Sequence, residues 1–233
     1  AEGGPVSKLL SNTLTFGAAT AGTDITIIPI GRIISQYKFQ NNTRDFVGVN
    51  DGAATNLSYV AGLVGQAGDF SGGTDSQVLI PDAANLSFGN GTSDVAFTMS
   101  LLFKQPSSAN INFLWKADTS TGATREYVTF TYDGSGLTSG ILLYINGVLE
   151  NMEYLISGTY TAMDNTTAPV VFGKNPFDTS ASFDGQMDCM TFWDKELSSE
   201  EVAELAQEEL AGTDINPISN RPNNTFIGGV GGV

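Results

Sequence analysis

From Arg32 to about residue 194 the sequence is a train of short apolar and β-branched runs cut by turn residues. "RIISQYKF", "SYVAGLVGQAGDFSGG", "SQVLIP", "VAFTMSLLFKQ", "INFLWKAD", "EYVTFTYD", "ILLYINGVLEN" and "PVVFGKN" follow one another, and "FDGQMDCMTFW" closes the series. Such runs are too short for helices and too regularly interrupted for one long element. They predict antiparallel strands in an all-β sandwich. The clearest turn is "YINGVL": Asn146-Gly147 suits a two-residue type I′ turn, whose central positions both need positive φ.

One helix is expected, in "LSSEEVAELAQEELAG". Ser198 caps it and Glu201, three residues on, completes a capping box. Leu197 and Val202 are spaced for a hydrophobic staple. Val202, Leu205 and Ala206 form a narrow apolar stripe, and Gly212 marks the stop. The stripe predicts that this helix packs on the sandwich.

Charge restricts the partners. The chain of 233 residues carries 25 acids, 10 bases and no histidine, a formal charge of −15. A phosphate backbone or an anionic membrane would be repelled, so nucleic acid and membrane are not expected partners. Charged residues make up only 15 %, so Asn, Thr, Ser and Gly must cover much of the surface. No apolar run approaches the ~18 residues of a membrane span. Cys189 is the single cysteine. It allows no internal disulfide, and its apolar setting predicts a buried, inert thiol. The lack of histidine removes Ser-His-Asp and Cys-His machinery. No strand carries the paired acids of a glycanase, and the glutamates of the helix read as a solvated face. An enzyme is not expected.

The ordered set of segments resembles laminin G-like domains of the concanavalin A-type lectin and glucanase jelly roll. "SFDGQMDCMTFWDKELSSEEVAEL" is similar to that family's closing strand and helix start, with Met187 in place of its usual Ile. "YKFQNNTRDFVGVNDG", "YVAGLVGQAGDFSGG" and "VLIPDAANLSF" resemble its opening strand, long loop and second strand. "FTMSLLFK" and "LLYINGVLE" resemble its central strands. The resemblance spans about Arg32 to Ala211. It divides the chain into an N-terminal arm (1–31), a jelly-roll domain (32–212) and a Gly/Asn/Pro-rich tail (213–233).

Asp188 is the anomaly, an acid in the middle of an apolar strand. Strict alternation places it on one face with Met190 and Phe192. A carboxylate buried there must be paired, coordinated or hydrogen-bonded. The resemblance implies a structural calcium between this aspartate and the "NNTRDFVGVND" loop. The expected ligands are Asp188 and Asp45, with Asn50 beside them. The alternative is a carboxylate held by loop N–H groups without metal. Asp184 is expected to be solvated, and Asp69 and Asp75 to cap loops or serve as minor ligands.

The resemblance also implies glycan or surface binding through loops. Trp115, Tyr127, Tyr154, Tyr160 and Phe177 are the aromatics available to stack on a sugar, though such residues also serve as core. The apolar arm and glycine-rich tail, with an acidic Asn/Thr/Gly-rich surface, suit a homo-oligomeric bacteriophage virion component. A capsid decoration, fibre or tail protein in contact with other virion subunits fits. A secreted bacterial carbohydrate-binding module, extracellular, is the alternative.

Overall fold

The computed structural model describes residues 33–71, 73, 75–104, 125–152, 159–174 and 182–212. The arm, the tail and the "INFLWKAD" run lie outside them, as do Trp115, Tyr154 and Phe177. The strands in chain order are β1 (Ile33–Tyr37), β2 (Ala53–Thr55), β3 (Ser58–Ala61), β4 (Gln66–Asp69), β5 (Gln77–Ile80) and β6 (Phe97–Lys104). They continue with β7 (Arg125–Tyr132), β8 (Ile141–Ile145), β9 (Val148–Leu149), β10 (Val170–Phe172) and β11 (Gln186–Trp193). The helix α1 (Ser199–Leu210) follows.

The strands make an antiparallel β-sandwich. The larger sheet runs β3-β4-β11-β6-β7-β8-β9, with β1 also paired to β11; the smaller runs β10-β5-β2. Between the sheets lie Val78 and Ile80 of β5, Phe172 of β10, and Leu101, Phe103, Val128 and Leu143 of the larger sheet. Met187, Met190 and Phe192 of β11 join them. Alternation then sends the intervening residues to the other side. There Leu102, Tyr127, Tyr144, Cys189 and Trp193 meet Val202, Leu205 and Ala206 of α1.

Local chemistry explains the joints. Asn146 and Gly147 have φ of 52° and 81°, as a type I′ turn requires. Ser198 accepts from the Glu201 N–H while the Glu201 side chain accepts from the Ser198 N–H, so the capping box forms. Gly212 ends the helix at φ 74°.

β11 departs from the simple pattern. The register with β6 shifts between Asp188 and Thr191, and Cys189 sits at φ 50°. This is a β-bulge, which adds a residue and resets which way the side chains point. It lies where one edge of β11 changes partner, from β4 at Gln186 and Met187 to β1 from Met190 onward. The face expected for Asp188 is therefore corrected. Met190 and Phe192 fill the sandwich core. Asp188 pairs with Leu102 and, like Leu102 and Cys189, belongs to the side covered by α1.

Candidate functional site: a tyrosine held on a loop aspartate

The residues expected to bind metal fall in two places. Asp45 is fully buried and organises the loop after β1. Its Oδ1 accepts from the N–H groups of Gln36 (3.0 Å), Val47 (3.1 Å) and Gly48 (2.9 Å). Its Oδ2 accepts from Ser35 Oγ (2.9 Å) and the Asn50 N–H (3.1 Å). Five donors use the roughly four lone-pair sites of a carboxylate. Asn50 adds to this web by donating its side-chain amide to Ser35 Oγ (2.7 Å) and Asn85 Oδ1 (3.2 Å).

Asp188 takes its loop contact elsewhere, from the Leu63 N–H (3.3 Å). It also packs against Gly62, where a Cβ would stand 2.7 Å from Oδ2. Lys38, Gln40, Val64, Leu102, Cys189 and Glu209 share a small cleft with it. Cys189 donates to Glu209 Oε1 (3.3 Å). Burial, then the charges of Glu209 and Asp188, push this thiol well above the usual range. Among the described residues no three His, Cys, Asp or Glu side chains gather as a metal site. A hard cation needs several free oxygens converging on one point, and Asp45 has none to spare. These residues do not fit a calcium site.

The other carboxylates are local. Asp69 receives the N–H (3.1 Å) and hydroxyl (2.6 Å) of Ser71. Asp75 pairs with Lys174 at 2.6 Å. Asp184 is exposed.

Of the aromatics singled out in the sequence, Tyr127 is buried under α1, its hydroxyl donating to Ser100 Oγ (2.7 Å). Tyr160 is different. It is 52 % exposed, and no other aromatic residue among those described is exposed. Its hydroxyl donates to Asp94 Oδ2 (2.6 Å), which also receives the Tyr132 hydroxyl (2.6 Å). The Met163 N–H donates to Asp94 Oδ1 (2.8 Å). Tyr132 accepts in turn from the Gly136 N–H (2.7 Å). Loop 159–165 and the end of β7 thus converge on the carboxylate of loop 88–96, and loop 133–140 joins them through Tyr132. Gly134 packs so closely on Val95 that a Cβ there would meet the Val95 carbonyl carbon at 3.0 Å. Val95 and Leu137 are exposed apolar residues of loops 88–96 and 133–140.

The electrostatics lock the cluster. Partial burial pulls the Asp94 carboxyl up, but hydrogen bonds from Tyr132, Tyr160 and Met163 outweigh it and hold it below its ordinary 3.8. Burial first, then the bond to Asp94, raises both phenols, so Tyr160 stays a neutral donor. The result is an aromatic ring facing solvent with its polar end fixed. Asp94 and Tyr132 did not stand out in the sequence; the only signals were the turn dipeptides Asn90-Gly91 and Asp133-Gly134 beside them.

A family model described as the concanavalin A-like lectin/glucanases superfamily, laminin G type, matches residues 59–203. The chain belongs to this superfamily. No curated protein sequence matches it. Among solved structures it is similar to domain 4 of AbnA, a GH43 extracellular arabinanase from Geobacillus stearothermophilus, in complex with arabinotriose. That likeness has a TM-score of 0.53 and 17 % identity, over 76 % of this chain and 98 % of that one. The binding domain of Paraclostridial Mosquitocidal Protein 1 aligns with a TM-score of 0.58 and 11 % identity, over 77 % of this chain and 53 % of that one. Trypanosoma rangeli sialidase in complex with sialic acid gives 0.53 and 10 %, over 82 % of this chain and 35 % of that one. This concanavalin A-like chain thus spans about half of the mosquitocidal binding domain and a third of the sialidase. At such identities the likeness is one of fold.

Proposed function

We propose that this concanavalin A-like domain is a non-catalytic glycan-binding module whose contact surface is the loop end around Tyr160. One observation carries the reading: the exposed aromatic ring of Tyr160 is immobilised by Asp94. An aromatic face held this way offers apolar stacking area to a sugar ring and has little side-chain entropy left to lose. The arabinotriose complex of the similar arabinanase domain supports the same class of ligand.

Catalysis finds no support in the strands. Glycanases need two carboxylates flanking one bond, and no described strand carries more than one acid: Asp69 on β4, Glu126 on β7, Asp188 on β11. The test is a broad glycan array probed with the intact chain, followed by reducing-end assays on every glycan retained. Retention without cleavage is expected. Silence across the array, or release of product, would overturn the proposal.

Display on a larger homo-oligomeric assembly, such as a bacteriophage virion, is the second part of this reading. It is supported by the segments 1–31 and 213–233, which flank the matched region, and by the acidic, cysteine-poor composition. Mass spectrometry of purified particles tests it; a lone 24.5 kDa monomer outside any particle would favour the secreted module instead.

A further inference from the structure

The glycan-binding reading leaves the class of sugar open, and the charges around Tyr160 bear on it. The described residues that build this end, 88–98, 131–140 and 159–165, include Asp94, Asp133 and Asp164 but no lysine or arginine. Asp133 and Asp164 are exposed. Asp164 Oδ1 lies 3.2 Å from where a Cβ on Gly91 would stand, beside the Gly91 N–H bond to the Met163 carbonyl (2.9 Å). Glu196 approaches from the segment before α1; burial and then the Asp133 charge push its carboxyl upward.

Among the described residues, the bases nearest this end are committed or distant. Lys195, whose carbonyl receives the Thr98 hydroxyl at this end of the sheet, gives its ammonium to both oxygens of Glu201 at 2.9 Å. Lys104 and Arg125 pair with each other across β6 and β7 at the far end of those strands, about 23 Å away at the rise of an extended strand. That exceeds the ~8 Å over which charge is felt at physiological salt.

We infer that the Tyr160 surface takes neutral saccharides and rejects anionic ones. This rests on the glycan-binding reading and narrows it. A neutral sugar stacks on the Tyr160 ring, and its hydroxyls donate to the exposed carboxylates of Asp133 and Asp164, charge-assisted bonds for which an uncharged ligand brings only donors. A sialic acid, uronate, sulfate or phosphate brings a like charge among Asp94, Asp133, Asp164 and Glu196 with no free cation in those segments to receive it, an arrangement that discriminates strongly against the wrong partner.

The test uses the intact chain and ligand pairs that differ in charge: lactose against 3′-sialyllactose, and galactan oligosaccharides against oligogalacturonates, within a broad array of neutral and acidic glycans. The neutral member of any pair that binds should do so at least about tenfold more tightly than its acidic partner. Tyr160→Ala, a change at an exposed position checked by unaltered circular dichroism, should weaken that binding at least about tenfold. Asp164→Lys, on an exposed loop, should narrow the gap by admitting the acidic member. Equal or tighter binding of acidic glycans, or binding indifferent to Tyr160→Ala, would overturn this inference while leaving a glycan-binding module in place. Absence of binding across the whole array would overturn both.

Discussion

Two aspartates show how differently a buried or pinned carboxylate can be used. Asp45 is a hub: four backbone N–H groups and one hydroxyl converge on it from residues 35 to 50. Asp45→Ala would leave those donors inside the protein without an acceptor, at a cost of about 3 kcal/mol or more. For a domain of this size that is a fall of roughly 10 °C in melting temperature. The fall should be the same in calcium and in chelator; a chelator-sensitive wild type would restore the metal reading of Asp45, Asn50 and Asp188. Asp94 works at the surface and makes the site acid-limited. Its folded value lies below the ordinary 3.8, so its contribution is complete above the unfolded value and is lost as pH falls through the lower folded one. Sugar binding at Tyr160 should therefore stay flat from neutral pH down to about 4 and decline below it. A titration of affinity against pH checks this, and a loss near pH 6 would show that another group holds the ring.

At the scale of elements, the contact that matters most is that of α1 with the β8–β9 turn. The helix covers Tyr127, Tyr144, Cys189 and Trp193 through Val202, Leu205 and Ala206. Gly147 lies directly beneath it. A Cβ there would stand 3.0 Å from Ala203 Cα and 3.1 Å from Ala206 Cβ, on a backbone at φ 81°. Gly147→Ala combines left-handed strain with a displaced helix, and should cost about 1–3 kcal/mol. Cys189 offers a reporter, since it is buried on β11 against Glu209 of α1. In the wild type the thiol should resist alkylation until the protein unfolds. In Gly147→Ala it should label faster under native conditions, because loosening α1 uncovers it. Unchanged labelling and melting would mean that the helix absorbs the extra methyl.

At the scale of the whole molecule, the sandwich has two apolar layers, one between the sheets and one beneath α1, whose described members lie between Ile33 and Leu210. A chain trimmed to 33–212 should therefore keep its fold, with the circular dichroism of a β-sandwich and a cooperative melt. Failure to fold would make part of 1–32 an integral strand. Sedimentation of the trimmed and full chains then tests the assembly role proposed for the termini: equal oligomeric states would remove it.

Much of this architecture was legible because its causes are short-range. The type I′ turn at Asn146-Gly147, the Ser198/Glu201 box and the stop at Gly212 each depend on residues a few positions apart, and each formed as its local chemistry requires. Alternation within β6, β7 and β8 likewise sorted core from covered face. It failed at Asp188 because the bulge there arises where β11 exchanges β4 for β1, segments more than a hundred residues upstream. The candidate site was hidden for the same reason. Asp94 meets Tyr132 and Tyr160 across 38 and 66 residues of chain, and only the closure of the sandwich brings those three loops to one end. Tyr160 could be named from the sequence as an aromatic, but its exposure, and the carboxylate that fixes it, are properties of packing between distant strands.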